Sequence, residues 1–255
     1  MKTVPRLPWI IAHRGASRDR PQNTLAALDE ALRQGADGIE LDVQLSRDEI
    51  PVVYHDRTLT RAGGGRRRVA RLTFRELREL DAAGRFEGAR RRHRIPSLEE
   101  VLTRYGRRTR LLVEIKTREG AAGHQRHIRH AQIAATLVKK MRLEKQVLLL
   151  SFSPAVLDAC AEAAPRIGRV LNLRPPRTLR PALARQLRSL FALCADVRSL
   201  TPGFANAVHR AKRPLLTYTC NTKTTVERAL DAGVTGVISD RPGWLAETVR
   251  SLHGT

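Results

Sequence analysis

Gly35-Ala36-Asp37-Gly38-Ile39-Glu40-Leu41-Asp42-Val43 is the stretch on which the reading of the fold turns. Gly35 sits where the C′ glycine of a helix belongs, closing an amphipathic run over 24–34, and 38–43 then reads as a buried strand. Glu40 and Asp42 are two residues apart, so on a strand both side chains project to the same face. Carboxylates that close repel, and burial is costly for them unless they are paired or hold a cation. Three further pieces lie at or just after strand-like runs: His13-Arg14-Gly15, His55-Asp56 and Glu114-Ile115-Lys116. Glu114 and Lys116 share a strand face by the same spacing.

Outward from this stretch the chain alternates short apolar runs with amphipathic ones. Strands are expected at 9–12, 38–43, 111–115, 147–151, 167–171, 193–197, 215–219 and 234–238. Helices are expected at 24–34, 98–104, 128–141, 154–163, 179–190, 204–211, 222–231 and 242–251. Eight β-then-α units read as a closed parallel barrel, because crossover helices must cover each parallel strand. The expected fold class is α/β, a TIM-type (β/α)8 barrel in a single domain over 1–255. A doubly wound open sheet is the runner-up, weakened by the lack of a GxGxxG or GxxxxGK[ST] sequence. The second unit breaks the rhythm: a strand-like run at 51–54 is followed by an insertion over 57–96. Loops this long are usually functional, and in a barrel this one would rise over the strands' C-terminal ends. Gly63, Gly64 and Gly65 read as a turn within it, since no P-loop lysine follows.

The 255 residues suit one barrel of this type, and nothing in them looks like a linker. The three cysteines, Cys160, Cys194 and Cys220, form no CxxC pair, which argues against a thiolate zinc site and a disulfide framework. The first residues lack the apolar core of a signal peptide and no run spans a bilayer, so a soluble, cytoplasmic protein is expected. The formal net charge of +22 favours anionic partners. Its arginines run along most of the chain, so solvated helix faces account for them. Weak association with anionic membranes or polyanions is the most they imply. At 4% aromatic, the chain lacks the stacking residues of a single-strand binder, and no specific nucleic-acid partner is expected.

His13, His55, Glu40, Asp42, Glu114, Arg14 and Lys116 together are the equipment for holding a hard divalent metal and cutting a phosphodiester. All fall at the C-terminal ends of the first three barrel strands or in the adjoining loop, where one barrel mouth would gather them.

The runs IIAHRGAS (10–17), QNTLAA (22–27), GADGIELDV (35–43), PVVYHD (51–56), IPSLEEVL (95–102), VEIK (113–116), SF (151–152), YTCN (218–221) and GVISDRP (236–242) resemble, in this order, the glycerophosphodiester phosphodiesterase family. The resemblance covers almost the whole chain. It implies a TIM-type barrel and metal-dependent hydrolysis of a small-molecule glycerophosphodiester to glycerol 3-phosphate and an alcohol. It carries the metal ligands onto Glu40, Asp42 and Glu114, the catalytic histidines onto His13 and His55, and the phosphate-contacting cations onto Arg14 and Lys116. Asn23 and Tyr218 join these as candidate substrate contacts. Three carboxylates without a thiolate suit one divalent ion, Mg²⁺ or Ca²⁺, better than zinc. Two imidazoles suit in-line displacement, one taking the nucleophile's proton and the other protonating the departing alkoxide, in either assignment. The first nucleophile is water or a neighbouring glycerol hydroxyl.

The chain departs from the family pattern at Gln22, where a glutamate is usual, at Tyr218 and Cys220 in place of Trp and Val, and at Glu49 in a turn that is usually Asp-Gly. His124, His127 and His130 recur at three-residue spacing, which drifts around a helix, and read as a solvated basic stretch. Cys220 reads as packing. Two rival functions are a lysophospholipase D acting on lysophospholipids and, in another class, a polyanion-binding barrel protein.

Overall fold

The computed structural model describes residues 7–84, 86–88, 91–117, 124–173 and 189–254. The strands among them are β1 (Trp9–His13), β2 (Gly38–Leu45), β3 (Pro51–Val53), β4 (Arg110–Ile115), β5 (Val147–Ser151), β6 (Gly168–Leu173), β7 (Ala192–Asp196), β8 (Leu215–Tyr218) and β9 (Gly236–Ser239). The helices are α1 (Leu25–Arg33), α2 (Phe74–Arg78), α3 (Leu98–Tyr105), α4 (His124–Lys140), α5 (Pro154–Ala163), α6 (Pro202–Arg210), α7 (Lys223–Asp231) and α8 (Pro242–His253). The helix expected over 179–190 falls largely outside the described residues. No described helix is long and apolar enough to cross a membrane.

Every strand but β3 runs parallel to its neighbours in the order β1-β9-β8-β7-β6-β5-β4-β2, and β1 also pairs with β2. That last pairing closes the sheet into the expected eight-stranded TIM-type barrel and excludes the open doubly wound alternative. Alternation along each strand builds two apolar layers. Ile39, Leu41 and Val43 of β2 point outward with Leu111, Val113 and Ile115 of β4, against Leu28, Leu98, Leu102 and Tyr105 of the covering helices. Ile11, Leu112, Leu148, Val170, Leu216 and Ile238 fill the barrel interior. Gly236 makes room for them: a Cβ there would stand 2.9 Å from Leu216 Cδ2 and 3.0 Å from Ile11 Cδ1.

Helix starts follow their capping residues. Thr24 accepts from Ala27 N, and Ser97 with Glu100 forms a reciprocal capping box at α3. Between β2 and β3 the chain turns with Glu49 at φ 59°, the left-handed conformation that an Asp-Gly turn would supply through its glycine. β3 then pairs antiparallel with β2, Val43 opposite Val53. The insertion has a core of its own, made of Val52, Tyr54, Leu59, Val69, Leu72, Leu77 and Ile95. The unforeseen element there is α2, which is launched by a capping box between Thr73 and Glu76.

The interior layer sets the stability of the barrel. Leu112→Ala, at a side chain with no solvent exposure, is expected to cost about 2–5 kcal/mol. Denaturant unfolding measures this, and an unchanged midpoint would mean that the interior is not close-packed.

Candidate active site

Register delivers the acidic groups to one place. Parallel pairing sets His13 beside Glu40 and Asp42 beside Glu114. Because these are the inward-facing positions near the strands' C-terminal ends, the three carboxylates converge, with ligand atoms within 4.8 Å of one another. Their exposures are 4%, 1% and 8% for Glu40, Asp42 and Glu114.

Two cations offset this charge. Lys116 Nζ lies 2.6 Å from both Asp42 Oδ1 and Glu114 Oε1, and Arg14 Nε lies 3.0 Å from Asp42 Oδ2. Arg14 Nη1 donates to Gln22 Oε1 at 2.6 Å, so the amide that replaces the family's glutamate still holds the guanidinium, as a neutral acceptor. Neutral donors complete the shell: Asn23 Nδ2 donates to Asp42 Oδ2 at 2.8 Å, and Asn172 Nδ2 to Glu114 Oε2 at 3.3 Å. Three carboxylates against two cations leave the cluster negative, and the protonation preferences follow. Burial, then the charges of Asp42 and Glu114, push Glu40 well above the ordinary carboxylate range. Burial also raises Glu114, outweighing the pull of Lys116. For Asp42 burial is overcome by Lys116, Arg14 and His55, which hold it below that range. Burial disfavours charge on Lys116 too, but Asp42 and Glu114 keep its ammonium protonated.

A divalent ion fits this donor set. Glu40 Oε2 is buried and accepts no hydrogen bond among the described residues. The oxygens are close enough to share one ion at the metal–oxygen distances of Mg²⁺ or Ca²⁺, about 2.0–2.6 Å. Oxygen-only donors are the hard-cation type.

Both histidines are held through Nδ1 by carboxylates. His13 Nδ1 is 2.6 Å from Asp240 Oδ1, and its Nε2 is 3.9 Å from Glu40 Oε2. Asn221 Nδ2 and Ser17 Oγ donate to Asp240 as well, at 2.6 and 3.0 Å. His55 Nδ1 is 2.8 Å from Asp56 Oδ1. Gln44 Nε2 fixes the backbone on both sides of His55, donating to the carbonyls of Tyr54 and Asp56. Burial lowers the pKa of His55 despite the Asp56 hydrogen bond, which favours a neutral ring at neutral pH. The sharp exit from β1 depends on Arg14 and Gly15, both at positive φ; a Cβ on Gly15 would meet the Ala27 carbonyl group at 2.5 Å.

His13, Arg14, Glu40, His55, Glu114 and Lys116 line one face of a cavity of about 550 Å³. Leu150, Phe152, Cys194, Tyr218 and Ile238 add apolar surface to its lining, with Asn172 and Thr219 among them. Tyr218 meets Phe152 edge to face at 6.4 Å and donates its hydroxyl to the Leu173 carbonyl. Asn23, expected as a substrate contact, is buried, with its amide spent on the carboxylate and backbone of Asp42, which it positions. Asp240, Asn221 and Asn172 carry structural duties that no local sequence pattern assigned them. Their signal is distributed: Asp240 and Asn221 lie in the GVISDRP and YTCN runs, and Asn172 is the one polar residue in an otherwise apolar stretch of β6.

The model of the glycerophosphoryl diester phosphodiesterase family matches residues 13–244. A glycerophosphodiester phosphodiesterase of Caldanaerobacter subterraneus is 34% identical over 252 residues, covering 98% of this chain and 99% of its own. Among solved structures, a glycerophosphodiester phosphodiesterase of Agrobacterium tumefaciens superposes with a TM-score of 0.79 at 28% identity, covering 94% of this chain and 100% of its own. A phosphodiesterase of Oleispira antarctica, solved with its product sn-glycerol 3-phosphate, superposes with a TM-score of 0.81 at 26% identity, covering 95% of this chain and 97% of its own.

The hydrogen bonds around Asp240 outweigh its burial and bring its pKa to about 2, below the value of about 3.9 for an unfolded aspartate. A carboxylate depressed on folding stabilises the native state above its unfolded pKa, and this contribution fades as pH falls through the folded one. Asp240→Asn is therefore expected to lower the melting temperature at neutral pH, with the difference from wild type shrinking below about pH 4. A difference independent of pH would contradict the pairing.

Proposed function

Because the chain belongs to the glycerophosphoryl diester phosphodiesterase family, we propose that it hydrolyses glycerophosphodiesters to glycerol 3-phosphate and an alcohol at the β-barrel mouth. The observation that carries this reading is that His13 and His55 line the same cavity as Glu40, Glu114, Arg14 and Lys116, each imidazole backed by a carboxylate. The divalent ion, Mg²⁺ or Ca²⁺, would be held by Glu40, Asp42 and Glu114. When bound it supplies Lewis-acid polarisation and charge neutralisation at a phosphoryl oxygen.

The protein's own groups do the rest. With the ion present the cluster and its two cations carry one net positive charge, which a phosphodiester monoanion matches. Arg14 is held by an ion pair from Nε to Asp42 and by a hydrogen bond from Nη1 to Gln22, and no bond from its Nη2 occurs among the described residues. That nitrogen is available to a phosphoryl oxygen, and guanidinium geometry suits the task. Lys116 keeps its charge beside the same oxygens. Asp240 and Asp56 orient the rings so that Nε2 of each histidine exchanges the proton. One takes it from the attacking hydroxyl, water or the adjacent glycerol hydroxyl, and the other delivers one to the leaving alkoxide. Tyr218 and Phe152, set edge to face, offer an apolar corner to the carbon skeleton of glycerol or of the alcohol.

A lysophospholipid substrate would need an apolar rim at the mouth. The exposed large hydrophobics among the described residues are Leu7, Ile50 and Phe191, and Leu7 and Phe191 precede β1 and β7 at the opposite barrel end. Among the described residues this leaves only Ile50, in the turn after β2, on the mouth side, and a water-soluble diester is the substrate class proposed. The arginine excess adds at most a weak attraction to anionic surfaces.

His13→Ala and His55→Ala are each expected to reduce kcat on glycerophosphocholine by roughly 10²–10⁴-fold, with an unchanged circular dichroism spectrum. Wild-type turnover in either variant would remove that histidine from the reaction. Chelation by EDTA should abolish turnover, and Mg²⁺ or Ca²⁺ should restore it. Glu114→Gln should shift the metal titration to higher concentration, and an identical titration would exclude Glu114 as a ligand.

A further inference from the structure

A second cavity, of about 50 Å³, adjoins the catalytic one, and Arg57 and Lys116 line both. Its walls also include Arg68 from the insertion and Arg126, His127 and His130 from the first turns of α4. No acidic side chain lines it among the described residues. Lys116 is tied to Asp42 and Glu114, but a pocket walled also by Arg57, Arg68 and Arg126 repels a quaternary ammonium and attracts an oxyanion.

Three features indicate a built site. Arg126 is fixed in place, with Nη2 donating to the carbonyls of Leu45, at 2.9 Å, and Ser46. These are neutral acceptors, so its charge is not cancelled there. His130 is 2% exposed, and its Nε2 has no hydrogen-bond partner among the described residues. A buried polar atom left unpaired is costly, and an oxyanion would supply the missing acceptor. Burial, with His127 and Arg126 nearby, pushes the pKa of His130 down to about 3, so the ring is neutral. The solvated basic stretch expected over these histidines thus holds for His124 but not for His130. Finally, the volume exceeds the roughly 10–15 Å³ that one water needs.

We propose that this cavity is an oxyanion subsite for a phosphate group, carried by the alcohol half of the substrate. A glycerophosphodiester whose leaving alcohol bears a terminal phosphate would place its diester at Arg14 and Lys116 and its second phosphate between Arg57, Arg126 and His130. The substrate part of this assignment rests on the hydrolase reading above, whereas the affinity for phosphate does not.

The test compares glycerophosphoglycerol with the same diester phosphorylated on its leaving glycerol. Wild type should show a kcat/KM roughly tenfold higher for the phosphorylated substrate, the scale of one or two charge-assisted hydrogen bonds. Arg126→Gln and His130→Leu should bring that ratio towards one while turnover of glycerophosphoglycerol stays near wild type. His130→Leu removes a polar atom that has no partner, so the fold should tolerate it even if Arg126→Gln does not. In parallel, inorganic phosphate is titrated into metal-free protein and the ring resonances of His130 are followed by NMR. They should shift in wild type and stay fixed in Arg126→Gln. A ratio of one in wild type together with a phosphate-induced shift would overturn the substrate assignment and make free phosphate the ligand. A ratio of one with no shift would overturn the subsite altogether. Absence of turnover on both diesters would sink the hydrolase reading, and the NMR titration would still decide the subsite.

Discussion

Three carboxylates buried side by side at one end of a closed barrel are the constraint on which the rest of this structure depends. Glu40, Asp42 and Glu114 sit on neighbouring strands whose register cannot slip without turning apolar residues into the interior and carboxylates into the helix layer. They must therefore be accommodated where they are. Lys116 and Arg14 offset most of the charge, and Asn23 and Asn172 donate to Asp42 and Glu114, while Glu40 Oε2 accepts no hydrogen bond among the described residues. One carboxylate is left without a matching cation, and burial together with the charges of Asp42 and Glu114 makes Glu40 hold its proton more tightly than an ordinary glutamate. A divalent ion relieves that imbalance, so the group proposed to assist chemistry would also stabilise the barrel mouth.

The histidines answer a second requirement, which is that both reach the same cavity. His13 arrives as the last residue of β1 and is anchored from the far side of the ring closure by Asp240, just beyond β9. His55 arrives differently, on the antiparallel excursion of β3, and is held by Gln44 of β2 and by the insertion's separate core. Barrel closure and insertion packing thus each deliver one carboxylate-backed ring. Loss of either would leave the acidic cluster intact and remove one of the two imidazoles proposed to carry protons.

Much of this was legible in the chain because the relevant signals are local. A period of two placed Glu40 with Asp42 and Glu114 with Lys116, and the apolar runs marked all eight parallel strands to within a few residues. The parts that escaped depend on distant partners. Asp240 and His13 are 227 residues apart, so nothing beside Asp240 announces what it binds. Asn23 looked like a cap or a substrate contact because its neighbour Thr24 is the true cap, and only the folded chain shows its amide turned to Asp42. The histidines of α4 looked solvated because their spacing drifts around a helix. That drift is the reason His130 alone turns inward. The short α2 was missed although Thr73 and Glu76 spell a capping box, since five residues give too little periodicity to register.

The most direct measurement is a crystal structure grown with Mn²⁺, with the ion located by its anomalous scattering. The account predicts a single peak bounded by carboxylate oxygens of Glu40, Asp42 and Glu114 at about 2.0–2.6 Å, with the His13 and His55 rings facing the space beside it. An ion bound elsewhere, or a cluster still bridged by Lys116 alone at saturating Mn²⁺, would contradict it.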